Sequence, residues 1–581
     1  MKSFYLVCFF FSLSLSLSLS VYSATYTVSS NLDNSDSNVG DGICADYNGN
    51  CTLRAAVEEA NFDFSSHDTV SLAGTFYIVN SELQITSPMD IIGLVYNSGA
   101  STTEIRGGGQ NRVLYINNNT QAIPEINLDT LYIGQGSLVG SGEGACIYAE
   151  NILDFRIKET QIFYCELTSS DDGQVLKGAG VFVKDSENVS FENTEIFYNK
   201  IIGDYHIEGF GAGAYFEDNQ TVIFKDSKVH INFLSSVFNA FGGGIYSENN
   251  NLIKFEESYV GYNEVLTTGD SGSAIGGGMY ATSDGETTSK LHAKGLRFWR
   301  NDAITYNSST TGSILGGGLY LDDVSSEIYD SPFSQNTSSR DGGGVYFDES
   351  RKSHIFMRNS VNFNIAGNSG GGIFLKARGG FNFKAYNTTI SSNIAGSGGG
   401  LACSASSYPF INLRMVTIVK NEALYDGGGF YADQTCSGAL VFYASLIAKN
   451  INVAPTGLGP DCFSSANVKM YYYNFLGDRK DCSLSTFISY NYIGDSTDPS
   501  VGVLDPVLGS PNNDYRYGTV GSFISYSPMD ATSPLVDFVA SDCTTETGFV
   551  LSKDNKFLDR KADGDGNGVE ICDIGAVEYA P

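Results

Sequence analysis

Near the C-terminus, Asp563-Gly-Asp565-Gly-Asn567-Gly sets three oxygen-bearing side chains at alternate positions, with glycines that let the backbone wrap round an ion. Oxygen donors so spaced suit calcium, a hard cation. Position twelve of an EF-hand loop is Ile574 rather than a bidentate Glu, so the calcium expectation rests on Asp563, Asp565 and Asn567. A weaker acidic loop holds Asp33, Asp36, Asp41 and Asp46. A second cluster joins Lys294, Arg297 and Arg300 to Trp299, the single tryptophan. Two chemistries fit it. A base abstracts the proton beside a uronate carboxylate while Arg or calcium neutralises the acid, as in a polysaccharide lyase; or an indole face stacks on a sugar ring without reaction. The five histidines, His67, His206, His230, His292 and His354, form no H-E-x-x-H and no close pair, and no C-x-x-C occurs. Metal hydrolysis, zinc binding and dithiol exchange have no foothold.

These residues sit on a repeat. A glycine triplet followed by an apolar residue begins at Gly242, Gly276, Gly316, Gly342, Gly370, Gly398 and Gly427, with degenerate copies at Gly178 and Gly211. Between triplets stands an Asn three positions after an apolar residue: Asn199, Asn232, Asn263, Asn301, Asn336, Asn364, Asn393, Asn421 and Asn450, spaced 28 to 38 residues apart. That is the period of a solenoid. Alternating runs such as Phe381-Asn-Phe-Lys-Ala-Tyr386 and Ile411-Asn-Leu-Arg-Met-Val416 have the period of two that marks half-buried strands. The pattern predicts an all-β parallel β-helix with three short strands per coil, the coils stacked ~4.8 Å apart. Asn at one fixed place suits a left-handed bend and an amide ladder along the axis.

From triplet to Asn the spacing is nearly constant, at 20 to 25 residues, whereas from Asn to the next triplet it ranges from 5 to 15. Insertions therefore collect at one corner, in residues 200–210, 264–275 and 302–315, expected as stacked loops that carry binding residues Tyr205, Phe210 and Tyr306. In the strand frame Leu296 and Phe298 point inward, which turns Arg297 and Trp299 outward.

Lysine and arginine number 34 against 65 acids, a net charge of −31, which disfavours nucleic acid and anionic lipid and leaves cations and neutral glycans as partners. Lys2, the apolar stretch from Phe4 through Leu19 and the small residues near Ser23 resemble a secretory signal peptide, residues 1–23. No later run is long and apolar enough for a membrane span. Cys8 leaves with the leader, and the remaining ten cysteines fall into neighbour pairs, Cys44 with Cys51, Cys146 with Cys165, Cys403 with Cys436, Cys462 with Cys482 and Cys543 with Cys572. In an exported chain such pairs are expected as disulfides.

The segment from Gly42 to Asn61, with Cys51-Thr-Leu-Arg-Ala-Ala56 at its centre, resembles the N-terminal module of bacterial surface proteins marked by a C-S-L-R-E-A motif. Its Leu53, Val57 and Ala60 make one face of a short helix, suited to cap an open first coil. The tail Asp573-Ile-Gly-Ala-Val-Glu578 resembles the D-I-G-A-F-E ending of the choice-of-anchor group of β-helix proteins, and the Gly and Asn repeats look like those of polymorphic outer-membrane proteins, which are adhesins. The resemblance implies a right-handed, pectin-lyase-like β-helix with a short N-terminal capping helix. Residues 24–100 are expected as cap and first coils, 101–455 as repeats, and 456–581 as last coils and a disulfide-bonded cap. It also implies an extracellular or bacterial cell-surface location and no defined reaction. Of the N-T-D, D-D, G-H-G and R-x-K set shared by glycosidases of that fold, Asp322-Asp323 supplies a D-D, but G-H-G is absent. The function expected is adhesin-like binding of glycans or surface proteins without catalysis. The alternative is a calcium-dependent lyase on acidic glycans that uses Lys294, Arg297 and Arg300.

Overall fold

The computed structural model describes residues 23–94, 103–285, 288–349, 351–406, 409–437, 439–486, 490–514, 523–539, 543–545 and 548–579; the predicted signal peptide lies outside them except for Ser23. The chain winds into a parallel β-solenoid. One coil carries the strands Ala214–Glu217, Thr221–Lys225, Lys228–His230, Phe233–Ser236 and Asn239–Phe241, and the next coil begins at Ile245–Glu248 with Tyr246 in register beside Tyr215. Equivalent strands form a 28-stranded main sheet with two strands per coil, a 15-stranded flank sheet, an 11-stranded corner sheet and a 6-stranded outer sheet. The expectation of three strands per coil is therefore too low, because the segments taken as insertion loops are themselves rungs. Residues 200–210 supply Lys200–Gly203 to the corner sheet and Glu208–Phe210 to the outer sheet. From Asp341 onward the outer sheet thins to single bridges, Leu315 to Asp341 to Ser369 to Ser397.

The asparagines form the expected ladder. Asn263 donates from its backbone N and its Nδ2 to Asn301 Oδ1 at 3.1 and 3.0 Å, and Asn301 does the same to Asn336 at 3.0 and 2.9 Å. The left-handed residue at this corner is not the Asn but the one before it: Tyr198, Tyr262, Arg300 and Gln335 have φ of 54°, 56°, 52° and 58°. Each Asn side chain also lies against the third glycine of a triplet. A Cβ on Gly278 would stand 2.9 Å from Asn301 Cγ and 2.5 Å from the carbonyl oxygen of Gly318 in the next coil. The two sequence markers thus touch across the coil, which is why their spacing barely varies.

Serine and threonine hydroxyls make a second ladder at another bend, where Thr194 N donates to Ser227 Oγ at 3.1 Å and Ser227 N to Ser258 Oγ at 3.2 Å. Inside, apolar residues form one continuous core from Tyr26 to Leu476. Outside the main sheet a row of stacked rings runs Tyr148, Phe182, Tyr215, Tyr246, Tyr280, Tyr320, Tyr346, Phe374 at centroid spacings of 4.8 to 5.2 Å.

Near the start, Thr52 accepts a bond from Ala55 N and opens the helix α1, Leu53–Ala60, whose Leu53, Ala56, Val57 and Ala60 are buried. All five neighbour cysteine pairs are disulfides. After the last flank strand, Tyr492–Ile493, the chain folds back along the flank sheet. There Ile524, Tyr526, Leu535, Val539 and Ile574 join an apolar cluster with Met357, Tyr386, Met415 and Leu446. Polar contacts fasten it: Thr389 Oγ1 donates to Asn555 Oδ1 at 2.8 Å, and Gly575 N donates to the carbonyl of Ala444 at 2.9 Å. The Asp573 to Glu578 segment is thus one of several parts that dock the tail, with Ile524 and Asn555.

Candidate functional site: a ridge of aromatic and charged side chains

The described tail residues pack on the flank from about Tyr329 onward, and the earlier coils present their outward residues along the flank sheet. Because strands pair in register, each outward position repeats up the axis as a row. One row on the flank is Phe163, Phe197, His230, Gly261, Trp299, and a second is Gln161, Glu195, Lys228, Tyr259, Arg297. Phe163, Phe197 and His230 stack at 5.5 and 5.4 Å. Along the adjoining bend the left-handed residues project furthest: Tyr164 and Tyr198 are 54% and 43% exposed and stack at 5.2 Å, and Tyr262 is 40% exposed.

Arg300 closes the ridge. Its guanidinium lies 5.0 Å from the Trp299 ring and 5.6 Å from that of Tyr262, with Nε donating to Gln335 Oε1 at 2.7 Å. Beyond it, on the corner sheet, an open groove of about 590 Å³ is lined by Ile231, Tyr262, Glu264, Arg300, Asp302, Gln335 and Thr337. Glu264 and Asp302 are register neighbours, and burial raises both carboxyls above their usual range, with Asp302 adding to the rise at Glu264. On the flank, His230 and then Lys228 hold Glu195 down at about 2 against the opposing effect of burial.

The sequence-based candidates separate in space. Arg297 and Trp299 face outward on the flank with Leu296 and Phe298 buried between them, as the alternation predicts. Lys294 does not join them. It ends the strand Lys290–Lys294 on the main sheet, and Gly295 turns the corner at φ +67° before the flank strand begins. Lys294 instead continues the row Asp129, Lys158, Glu192, Lys225, Glu256, whose alternating signs put opposite charges beside each other on successive coils. Phe210 packs edge-on against Tyr215 and Tyr246 at 6.2 and 5.0 Å, so it belongs to the external ring row. Tyr205 and Tyr306 are 64% and 77% exposed. Tyr262, Glu264, Asp302 and Tyr259 escaped the sequence reading. A signal was available for Tyr262 alone, which stands just before a ladder Asn; Glu264 and Asp302 follow their ladder Asn and Tyr259 lies four positions before Asn263.

In the tail, Asp537 comes in beside Asp563 and Asp565, with one oxygen from each within 4.8 Å of the others. Asn567 instead braces Asp565, donating from its backbone N and Nδ2 at 3.0 and 2.8 Å. Burial, with Asp565 contributing, raises the Asp537 carboxyl. The all-oxygen donor set fits a hard cation. Among the described residues no helix is long and apolar enough to cross a membrane. No family model, curated protein or solved structure matches the chain.

Proposed function

We propose that the chain is an exported, adhesin-like solenoid, displayed at a bacterial surface or released, that binds glycans along the ridge running from Tyr164 to Arg300. The observation that carries this is the row of exposed rings, Tyr164, Tyr198 and Tyr262, along the bend of the flank sheet. Rings with a polar rim suit sugars, whose C–H faces stack while their hydroxyls find charged partners. Five disulfides favour an oxidising compartment. In this reading the coil is right-handed and pectin-lyase-like, and α1, packed against the first strands, caps its N-terminal end. Tyr205 and Tyr306, beyond the corner sheet, extend the contact for longer ligands.

The test is a glycan array with the native chain and a Trp299→Ala, Tyr262→Ala double variant. Binding falls more than tenfold in the variant; equal binding would sink the ridge. The lyase reading has less in its favour, because Lys294 lies round the corner from Arg297. For the tail, the proposal is calcium held by Asp537, Asp563 and Asp565. Adding calcium raises the melting temperature and Asp565→Asn abolishes that rise, while a native chain indifferent to calcium refutes the site.

A further inference from the structure

We propose that Asn567 deamidates in the folded protein, its own loop catalysing conversion of the amide to a carboxylate with water as the co-reactant. The modification stands apart from the glycan and calcium readings.

The sequence holds two Asn-Gly pairs, Asn48-Gly49 and Asn567-Gly568, and both are exposed. Before glycine, the side-chain carbon of an asparagine is open to the next backbone nitrogen, because no Cβ blocks the approach. Attack still requires that this nitrogen lose its proton and that the amide oxygen be steadied as it gains charge.

At Asn567 the fold supplies both. Gly568 N donates to Asp563 Oδ2 at 2.9 Å, so a carboxylate sits on the proton that must go. No hydrogen bond draws on the other oxygen of that carboxylate, Oδ1. Val569 N donates to Asn567 Oδ1 at 2.9 Å, the oxygen that becomes negative during attack. Asp565 Oδ2 accepts from Asn567 Nδ2 at 2.8 Å and holds the amide by its departing nitrogen. Around Asn48 the dipeptide is the same and the surroundings differ. Gly49 N donates to the carbonyl oxygen of Asp46 at 2.8 Å, an acceptor that does not take up a proton. The Asp46 carboxylate is engaged instead by the backbone N of Asn48 and Asn50, each at 2.9 Å, and by Asn34 Nδ2 at 2.8 Å.

Asp563 takes the Gly568 proton as that nitrogen bonds to Asn567 Cγ. The Cγ–Nδ2 bond breaks, and the departing nitrogen gains the proton through solvent and leaves as ammonia. Water then opens the succinimide at either carbonyl, leaving aspartate or isoaspartate at 567. Nothing is oxidised or reduced. The product adds a carboxylate beside Asp537, Asp563 and Asp565, which on the calcium reading strengthens the hold on the cation.

The experiment is mass-spectrometric peptide mapping of the whole chain aged at neutral pH, in buffer and in urea, with the change from amide to acid read at both pairs. In buffer Asn567 is expected to convert about tenfold faster than Asn48. In urea, which removes the fold, the two rates converge. Equal rates in buffer, or a difference that persists in urea, would overturn the proposal. Asp563→Ser slows conversion at Asn567 and leaves Asn48 as it was; an unchanged rate at Asn567 overturns the part given to Asp563. Calcium is expected to raise the melting temperature of Asn567→Asp more than that of the native chain. An equal rise overturns only the tighter hold, and two chains indifferent to calcium overturn the calcium reading while the modification stands.

Discussion

Glycine and asparagine meet across each coil from Gly180 with Asn199 to Gly429 with Asn450, and the cost of disturbing that meeting is specific to each residue. Gly278→Ala places a methyl 2.5 Å from the Gly318 carbonyl and 2.9 Å from Asn301 Cγ, atoms fixed by the neighbouring rung. Overpacking of that kind destabilises by about 2–3 kcal/mol, measured as a lower denaturant midpoint; a change under about 0.5 kcal/mol would contradict the packing described. The repeat and its ladder were legible in sequence because each depends on one residue type at one place. The ridge was less so. Its outward residues are of many types, and only strand register aligns them, so Lys294 and Arg297 look like neighbours although Gly295 turns a corner between them. Asp537 could not be assigned to the tail loop for a similar reason: folding brings it in from outside the motif.

At the scale of the element, the asparagine ladder ends on a carboxylate. Asn450 donates from N and Nδ2 to Asp461 Oδ1 at 3.0 and 2.9 Å, and Asp478 N donates to Oδ2 at 2.8 Å. Burial is the largest influence and pushes Asp461 up to about 7 despite these donors; Asp322 and Asp341 are raised in the same way, to about 6. A carboxyl with a folded pKa above its unfolded value of ~3.9 holds its proton more tightly when folded. Its contribution to stability is fully present below about pH 4 and is lost as pH climbs through the folded value. The last rungs should therefore be firmer at pH 5 than at pH 8. Asp461→Asn keeps an acceptor for Asn450 and removes the titration, so the slope of unfolding free energy against pH between 4 and 7 should flatten. A variant with the native slope would show that Asp461 is not the group responsible.

Across the whole molecule, one arginine joins the tail to the solenoid. Arg560 is buried with Glu578 at 3.0 Å, and its other nitrogen donates to Asn387 Oδ1 at 2.7 Å. Burial raises both Asp573 and Glu578, the latter against the pull of Arg560. Arg560→Met strands those acids without a cation, and such a loss costs about 3–5 kcal/mol. Native-state proteolysis should then release the tail before the coils unfold; cleavage at native rates would remove Arg560 from that role. In the row from Asp129 to Lys294 the charges alternate from rung to rung, whereas Glu217 meets Glu248 and Asp322 meets Asp348 in register, and Asp348 adds to the rise of the Asp322 carboxyl.

The folded-back tail also sets an order in time. A polypeptide leaves the ribosome from its N-terminus, so Met357, Tyr386, Met415 and Leu446 are synthesised and wound into rungs before Ile524, Leu535 and Ile574 exist to cover them. Until the final stretch is released, the nascent molecule carries a greasy stripe down one side. A chaperone that grips that stripe would be evicted by the protein's own last residues.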